Sequence, residues 1–139
     1  MKNFKWPVRV YYEDTDAGGV VYYANYLKFY ERARTERLRA LGFEQDQLRR
    51  DAGLVFVVRS VHVDYLRPAL FNDELMVSAE VRNLKRASLE FSQEITRSRF
   101  NSEPELLSRA VVRIVSLDIE TFTPITIPDA IRGRINDDC

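Results

Sequence analysis

Asp16 is the residue whose surroundings point most directly to chemistry. It stands in Thr15-Asp16-Ala17-Gly18-Gly19, where carboxylates and a glycine pair make a loop rather than a strand. A carboxylate on a loop can serve as a general base or as a nucleophile toward a polarised carbonyl. Gly18 and Gly19 have no Cβ, so the backbone there can come close to a ligand. The loop runs toward a segment of good helix formers, and the free N–H groups of a helix start favour negative charge. Taken alone, Asp16 followed by glycines reads as readily as an Asx turn that only holds the loop. Glu13 and Asp14 read as solvated loop acids.

Few other residues compete. His62 is the one histidine, and it alternates in register with Ser60 and Asp64 on a polar strand face, far in sequence from any nucleophile. A solvated strand histidine is expected. No Cys/His cluster has ligand spacing, so neither a metal nor another cofactor is expected. The glycine pair lacks the lysine and Ser/Thr of a phosphate loop. Glu31 falls on the long helix, where a charge is costly unless partnered. It reads as a second acid of the site or as half of an ion pair with Arg34 or Arg59. Arg59 falls on the same strand face as Val61, Val63 and Tyr65, which suits a buried ion pair or a pocket contact. Lys85 and Arg86 sit at a tip between strands, with Ser88 just beyond, and as an exposed turn they need no function.

Periodicity supplies the elements that must position these residues. Val8 to Tyr12 reads as a first strand and Asn25 to Leu41 as a helix stopped by Gly42. The first half of that helix is apolar around much of its circumference, which predicts deep burial. Glu44 to Asp51 reads as a second helix closed by Gly53. Alternation then predicts strands over 57–65, 75–82, 88–95 and 106–117, with a turn at 101–104. Asp129 to Ile135 reads as a final helical turn. Strands joined by short turns are antiparallel, and one long apolar helix needs a sheet to cover it. The expected architecture is α+β, a curved antiparallel sheet around a helix, of the hotdog kind. No repeat or linker interrupts it, so residues 1–139 read as one domain.

Composition narrows the partners. Lysine plus arginine equals aspartate plus glutamate at 21 each, so no whole-protein field draws in a polyanion, and nucleic acid is not expected. No apolar stretch approaches the roughly 18 residues of a spanning helix, and no signal-peptide core follows Met1 to Trp6. The single cysteine, Cys139, allows no internal disulfide. A cytoplasmic protein that is not inserted in a membrane is the expectation.

Arg9 through Thr15-Asp16, the glycines and Asn25-Tyr26 resemble the motif of the hotdog thioesterases, in particular the Tol-Pal-associated acyl-CoA thioesterases and 4-hydroxybenzoyl-CoA thioesterase. The likeness continues through Phe29-Tyr30-Glu31-Arg32-Ala33-Arg34-Thr35-Glu36 and Phe56-Val57-Val58-Arg59. It implies hydrolysis of an acyl-CoA thioester, with Asp16 as the working carboxylate and the Tyr23 N–H polarising the carbonyl. Many Tol-Pal-associated members carry histidine at the position of Tyr23, whereas 4-hydroxybenzoyl-CoA thioesterase carries tyrosine; a phenol with a pKa near ~10 is a poor base at neutrality, so a side-chain role there would be lost and a backbone role kept. The resemblance also implies that Lys85 and Arg86 meet the phosphates of CoA, and that Ser88 can bond water or substrate. Gly18, Gly19, Glu31 and Arg59 complete the expected substrate contacts. A homodimer or a dimer of dimers is expected, and an acyl carrier protein is a further candidate partner. Two rivals stand beside it: a hotdog subunit that binds acyl carriers or lipid enzymes without catalysis, and a hotdog dehydratase, whose histidine His62 does not match.

Overall fold

The computed structural model describes residues 3–99 and 102–138; Asn101, at the start of the expected turn, and Cys139 lie outside the described residues. A six-stranded antiparallel sheet wraps one long helix. The elements are β1 (Lys5–Arg9), α1 (Asn25–Ala40), α2 (Gln45–Ala52), β2 (Leu54–Tyr65), β3 (Glu74–Ser78), β4 (Glu80–Arg82), β5 (Ser88–Arg97), β6 (Glu105–Asp118) and α3 (Asp129–Asp138). The sheet order is β1-β3-β5-β6-β2, with β4 paired to β5. This is the α+β hotdog arrangement expected from the sequence.

Alternation places Ala110, Val112 and Ile114 of β6 and Leu89, Phe91 and Ile95 of β5 in the core, against Tyr26, Phe29, Tyr30 and Ala33 of α1. The helix buries one stripe at the 3.6-residue period rather than most of its circumference: Leu27 is 43% exposed. Ile131 and Ile135 are buried, so the C-terminal segment is a docked ten-residue helix rather than a single turn.

Three departures from periodicity have local causes. The first strand lies earlier than expected, at Lys5–Arg9, and residues 12–14 form a 3-10 turn. Pro7 is tolerated because β1 is an edge strand whose sole partner is β3. The expected strand over 75–82 is broken at Ala79. There Gln93 Nε2 donates to the Ser78 carbonyl at 3.1 Å and the Glu94 N–H donates to Ser78 Oγ at 2.8 Å, so side chains replace ladder bonds. Finally, β2 slips register between Val58 and Ser60. That slip puts Val58, Val61, Val63 and Tyr65 opposite Ile114, Val112, Ala110 and Ser108, on the face that meets α1. Arg59 sits at the slip, as the extra residue with no partner in the β2–β6 register, so simple alternation does not carry it onto their face.

An arginine closes the end of the sheet nearest the Asp16 loop. Arg97 donates to Asp73 Oδ2 at 2.5 Å, to Glu105 Oε1 at 2.8 Å and to the Pro68 carbonyl at 3.2 Å. Hydrogen bonds from Arg67, Arg97 and Arg99 hold the Glu105 carboxyl down at about 2. Its folded pKa lies below the ordinary value, so the stability it contributes is fully present above about 4.5 and is lost as pH falls toward 2. A plot of melting temperature against pH should fall through that window and flatten in Glu105→Gln; an unchanged acid limb in the variant would assign the loss to other groups.

Candidate active site

The Asp16 loop folds back on itself. The Asp16 N–H donates to the Val20 carbonyl at 2.9 Å, Thr15 bridges to Val21, and the Tyr22 N–H donates to the Asp14 carbonyl at 2.9 Å. The Gly18 N–H donates to Asp16 Oδ1 at 2.8 Å, so the Asx turn open to the sequence is real. It uses one carboxylate oxygen. Asp16 is exposed, and Oδ2 has no protein partner among the described residues. A Cβ on Gly18 would lie a tight 3.2 Å from Asp16 Oδ1, and Gly19 has φ +80°, where an L side chain is strained, so the turn itself favours both glycines.

Asp14 is not a solvated acid. It is 7% exposed, and its carboxylate accepts from the Tyr11 N–H at 2.8 Å and from Asn25 Nδ2 at 3.3 Å. The 3-10 turn at 12–14 tucks it beneath the loop, where it ties the end of β1 to the start of α1. The other wall is the 66–73 segment. Val20 bridges to Leu70, the Val21 N–H donates to the Ala69 carbonyl at 2.9 Å, and the Ala69 N–H donates to the Tyr26 hydroxyl at 2.9 Å. Asp73, held by Arg97, accepts from the Leu70 N–H.

The start of α1 has no side-chain cap. The Asn25, Tyr26 and Leu27 N–H groups close tight turns onto the Tyr22, Tyr23 and Ala24 carbonyls. Among the described residues, the Tyr23 and Ala24 N–H groups have no protein acceptor, as at an anion-binding helix start. The Tyr23 side chain is 62% exposed.

An apolar cavity of about 140 Å³ lies farther along α1. Phe56, Val58, Leu89, Phe91 and Ile114 line it, with Glu31 and Arg34 on its helix side. Glu31 is exposed and accepts from Thr35 Oγ1 at 3.0 Å, so its charge is not buried as the helix position suggests. Arg34 is the half-buried charge, donating to Gln93 Oε1 at 3.0 Å, and loss of solvent lowers its pKa.

Lys85, Arg86 and Ser88 lie elsewhere. Ser88 opens β5 and Arg97 closes it, so at the rise of a strand these residues stand roughly 30 Å from the Arg97 end, where the Asp16 loop sits. Arg86 donates to Thr126 Oγ1, and Arg132 donates to the Lys85 carbonyl, tying the tip to the C-terminal segment. Within one chain Asp16, Gly18, Gly19 and Tyr23 come together, while Arg59 and the 85–88 residues do not join them. His62 is exposed and 3.3 Å from Asp64. No metal-binding group of three His, Cys, Asp or Glu occurs among the described residues, and none of their helices is long and apolar enough to cross a membrane. Asp14 and Asn25 are the residues sequence reasoning missed; an asparagine at an uncapped helix start, eleven residues from an aspartate, is a faint signal at most.

Residues 18–99 match the family model of the thioesterase superfamily. An acyl-CoA thioesterase, YbgC, of Haemophilus influenzae is 45% identical over 133 residues, 96% of this chain and 94% of that protein. An acyl-CoA thioester hydrolase, YbgC, of Escherichia coli O6:H1 is 47% identical over 128 residues, 92% of each. A 4-hydroxybenzoyl-CoA thioesterase solved with 4-hydroxybenzoyl-CoA superposes with a TM-score of 0.90 over 97% of this chain and 99% of that one; at 19% identity the likeness is one of fold.

Proposed function

This chain belongs to the thioesterase superfamily, and we propose that it hydrolyses an acyl-CoA thioester with Asp16 as base or nucleophile and the Tyr23 N–H as donor to the carbonyl oxygen. The observation that carries the reading is the pairing of one free carboxylate oxygen with the turn that leads into α1, whose Tyr23 and Ala24 N–H groups have no acceptor among the described residues. As nucleophile, Asp16 attacks the carbonyl, the sulfur leaves with CoA, and water cleaves the resulting anhydride. As base, it takes a proton from the water that attacks. Either way negative charge develops on the carbonyl oxygen, where an N–H already aimed needs no reorganisation. The cavity beside Phe56 and Phe91 suits the acyl group.

Two copies of the chain complete the site in this reading. β2 is a twelve-residue strand paired on one side only, by β6, and such an edge invites a partner. Antiparallel pairing of β2 with its copy sets the Tyr65 end of one beside the Leu54 end of the other. The acyl cavity and the 85–88 tip of the second copy then approach the Asp16 loop of the first, and their basic residues can reach CoA phosphates. A dimer of dimers and a cytoplasmic location extend the same reading. Light scattering at micromolar concentration tests it, and an active species with the mass of one 16.3 kDa chain refutes the shared site.

The activity is tested by release of the CoA thiol from butyryl-, octanoyl- and benzoyl-CoA; no turnover of any above the blank overturns it. Tyr23→Phe should keep kcat within about threefold of the parent, because the role is given to the backbone. A loss as deep as that of Asp16→Asn would assign it to the phenol.

A further inference from the structure

Tyr65 stands where the sheet meets the turn that begins α1. Its hydroxyl donates to the Tyr23 carbonyl at 3.0 Å. Its ring lies edge-on to Tyr26, with centroids 5.0 Å apart, and to Tyr23 at 6.3 Å. The other donor to that carbonyl, the Tyr26 N–H, is longer at 3.3 Å, so the phenol supplies the shorter bond. A phenol is protonated at neutral pH, and burial raises the Tyr65 pKa further, so its hydroxyl is a donor.

The base on which Tyr65 stands is rigid. Tyr30, fully buried in α1, donates to Ser108 Oγ at 2.6 Å, and Ser108 Oγ donates to the Asp64 carbonyl at 2.9 Å, one residue before Tyr65. Ser108 also lies opposite Tyr65 in the β2–β6 ladder. Just beyond, the Leu66 and Arg67 N–H groups both donate to the Leu107 carbonyl. The body of α1, through Tyr30, and its start, through Tyr65, are thus clamped to one short stretch of sheet.

We propose that Tyr65 is a positioning residue: its hydroxyl fixes the Tyr23 carbonyl, and through it the orientation of residue 23, so that the Tyr23 N–H stays aimed at the thioester oxygen. This rests on the donor role given to Tyr23 above. A donor acts in catalysis to the extent that it is already oriented when charge develops. The free N–H of Tyr23 has no protein acceptor of its own to hold it, so its direction depends on what holds the rest of the residue.

Tyr65→Phe removes one oxygen and keeps the ring contacts. The expected result is a fall in kcat of about tenfold with KM within about threefold, the split for an interaction made mainly in the transition state. The melting temperature should move by no more than about 2 °C, as for loss of one half-exposed hydrogen bond. The second readout is the infrared stretch of octanoyl- or benzoyl-CoA, whichever is hydrolysed, labelled with ¹³C at the carbonyl and bound to Asp16→Asn. Binding should lower its frequency, and Asp16→Asn/Tyr65→Phe should lose or broaden that shift. A kcat within twofold of the parent, or an identical shift in both backgrounds, overturns the role of Tyr65 alone. No shift in either background means that the Tyr23 reading itself has failed. Normal turnover by Asp16→Asn would remove Asp16 from the chemistry while leaving the kcat and KM comparison for Tyr65 intact.

Discussion

Asp16→Asn should lower kcat by about 10²–10⁴-fold, the usual contribution of a positioned acid or base, with the fold essentially unchanged. The asymmetry follows from the two oxygens. Oδ1 accepts from the Gly18 N–H, and an asparagine oxygen can accept that bond equally well. Oδ2 is the oxygen with no protein partner, and an amide nitrogen in its place is neither a base nor a nucleophile. Gly19 at φ +80° and the backbone bonds that close the loop are untouched. The measurement is CoA release together with a thermal melt. Turnover within tenfold of the parent at an unchanged melting temperature would remove Asp16 from the mechanism. Collapse of the fold would show instead that the carboxylate is needed by the turn.

Arg97→Met should be strongly destabilising, by about 3 kcal/mol, the low end of the range for removing one member of a buried ion pair, because Asp73 and Glu105 keep some contact with water. Its side chain is 8% exposed and bridges Asp73 and Glu105, each of whose side chains is 19% exposed. Methionine fills similar space but leaves Asp73 without its cation. Glu105 retains Arg67 and Arg99, which moderates the cost on that side. For a domain of this length the loss corresponds to a drop in melting temperature on the order of 10 °C. It should also slow turnover, because Asp73 holds Leu70, and Leu70 and Ala69 form the wall against which Val20 and Val21 rest. A melt within about 2 °C of the parent would mean that the cluster is solvated and weak.

The parts of this molecule legible in its sequence are those fixed by near neighbours. The extent of α1, the alternation of β5 and β6 and the turn at Asp16–Gly19 each follow from residues a few positions apart. The parts that were not legible depend on what the chain brings back from afar. Asp14 looks like a loop acid because its carboxyl partners, Tyr11 N–H and Asn25, meet it only after the 3-10 turn folds it under. Arg59 was misplaced because one slipped residue in β2 shifts every side chain before it to the other face, and nothing nearby announces the slip. The Arg97 cluster joins partners 24 and 8 residues away, and Tyr65 reaches back 42 residues to Tyr23. The loop that carries Asp16 was readable because it is local; the distant contacts that hold it were not.

The interruption at Ala79 divides the sheet's kinetics as well as its ladder. β3 is gripped on both sides, by β1 and β5, whereas β4 has three residues and the single neighbour β5. The turn after β4 is held partly by the sheet, through the Ser116 N–H on the Ala87 carbonyl and Asn83 on Glu90, and partly from outside it, by the Ile127 N–H donating to the Arg86 carbonyl and by Arg132 from α3. Local opening can therefore release β4 and its basic tip as one unit while β3 stays closed. Amide deuterium uptake along 83–87 should rise when the docking of α3 is weakened, before uptake rises in β3. A molecule that grips the C-terminal helix would quieten the tip from a distance, without touching the Asp16 loop.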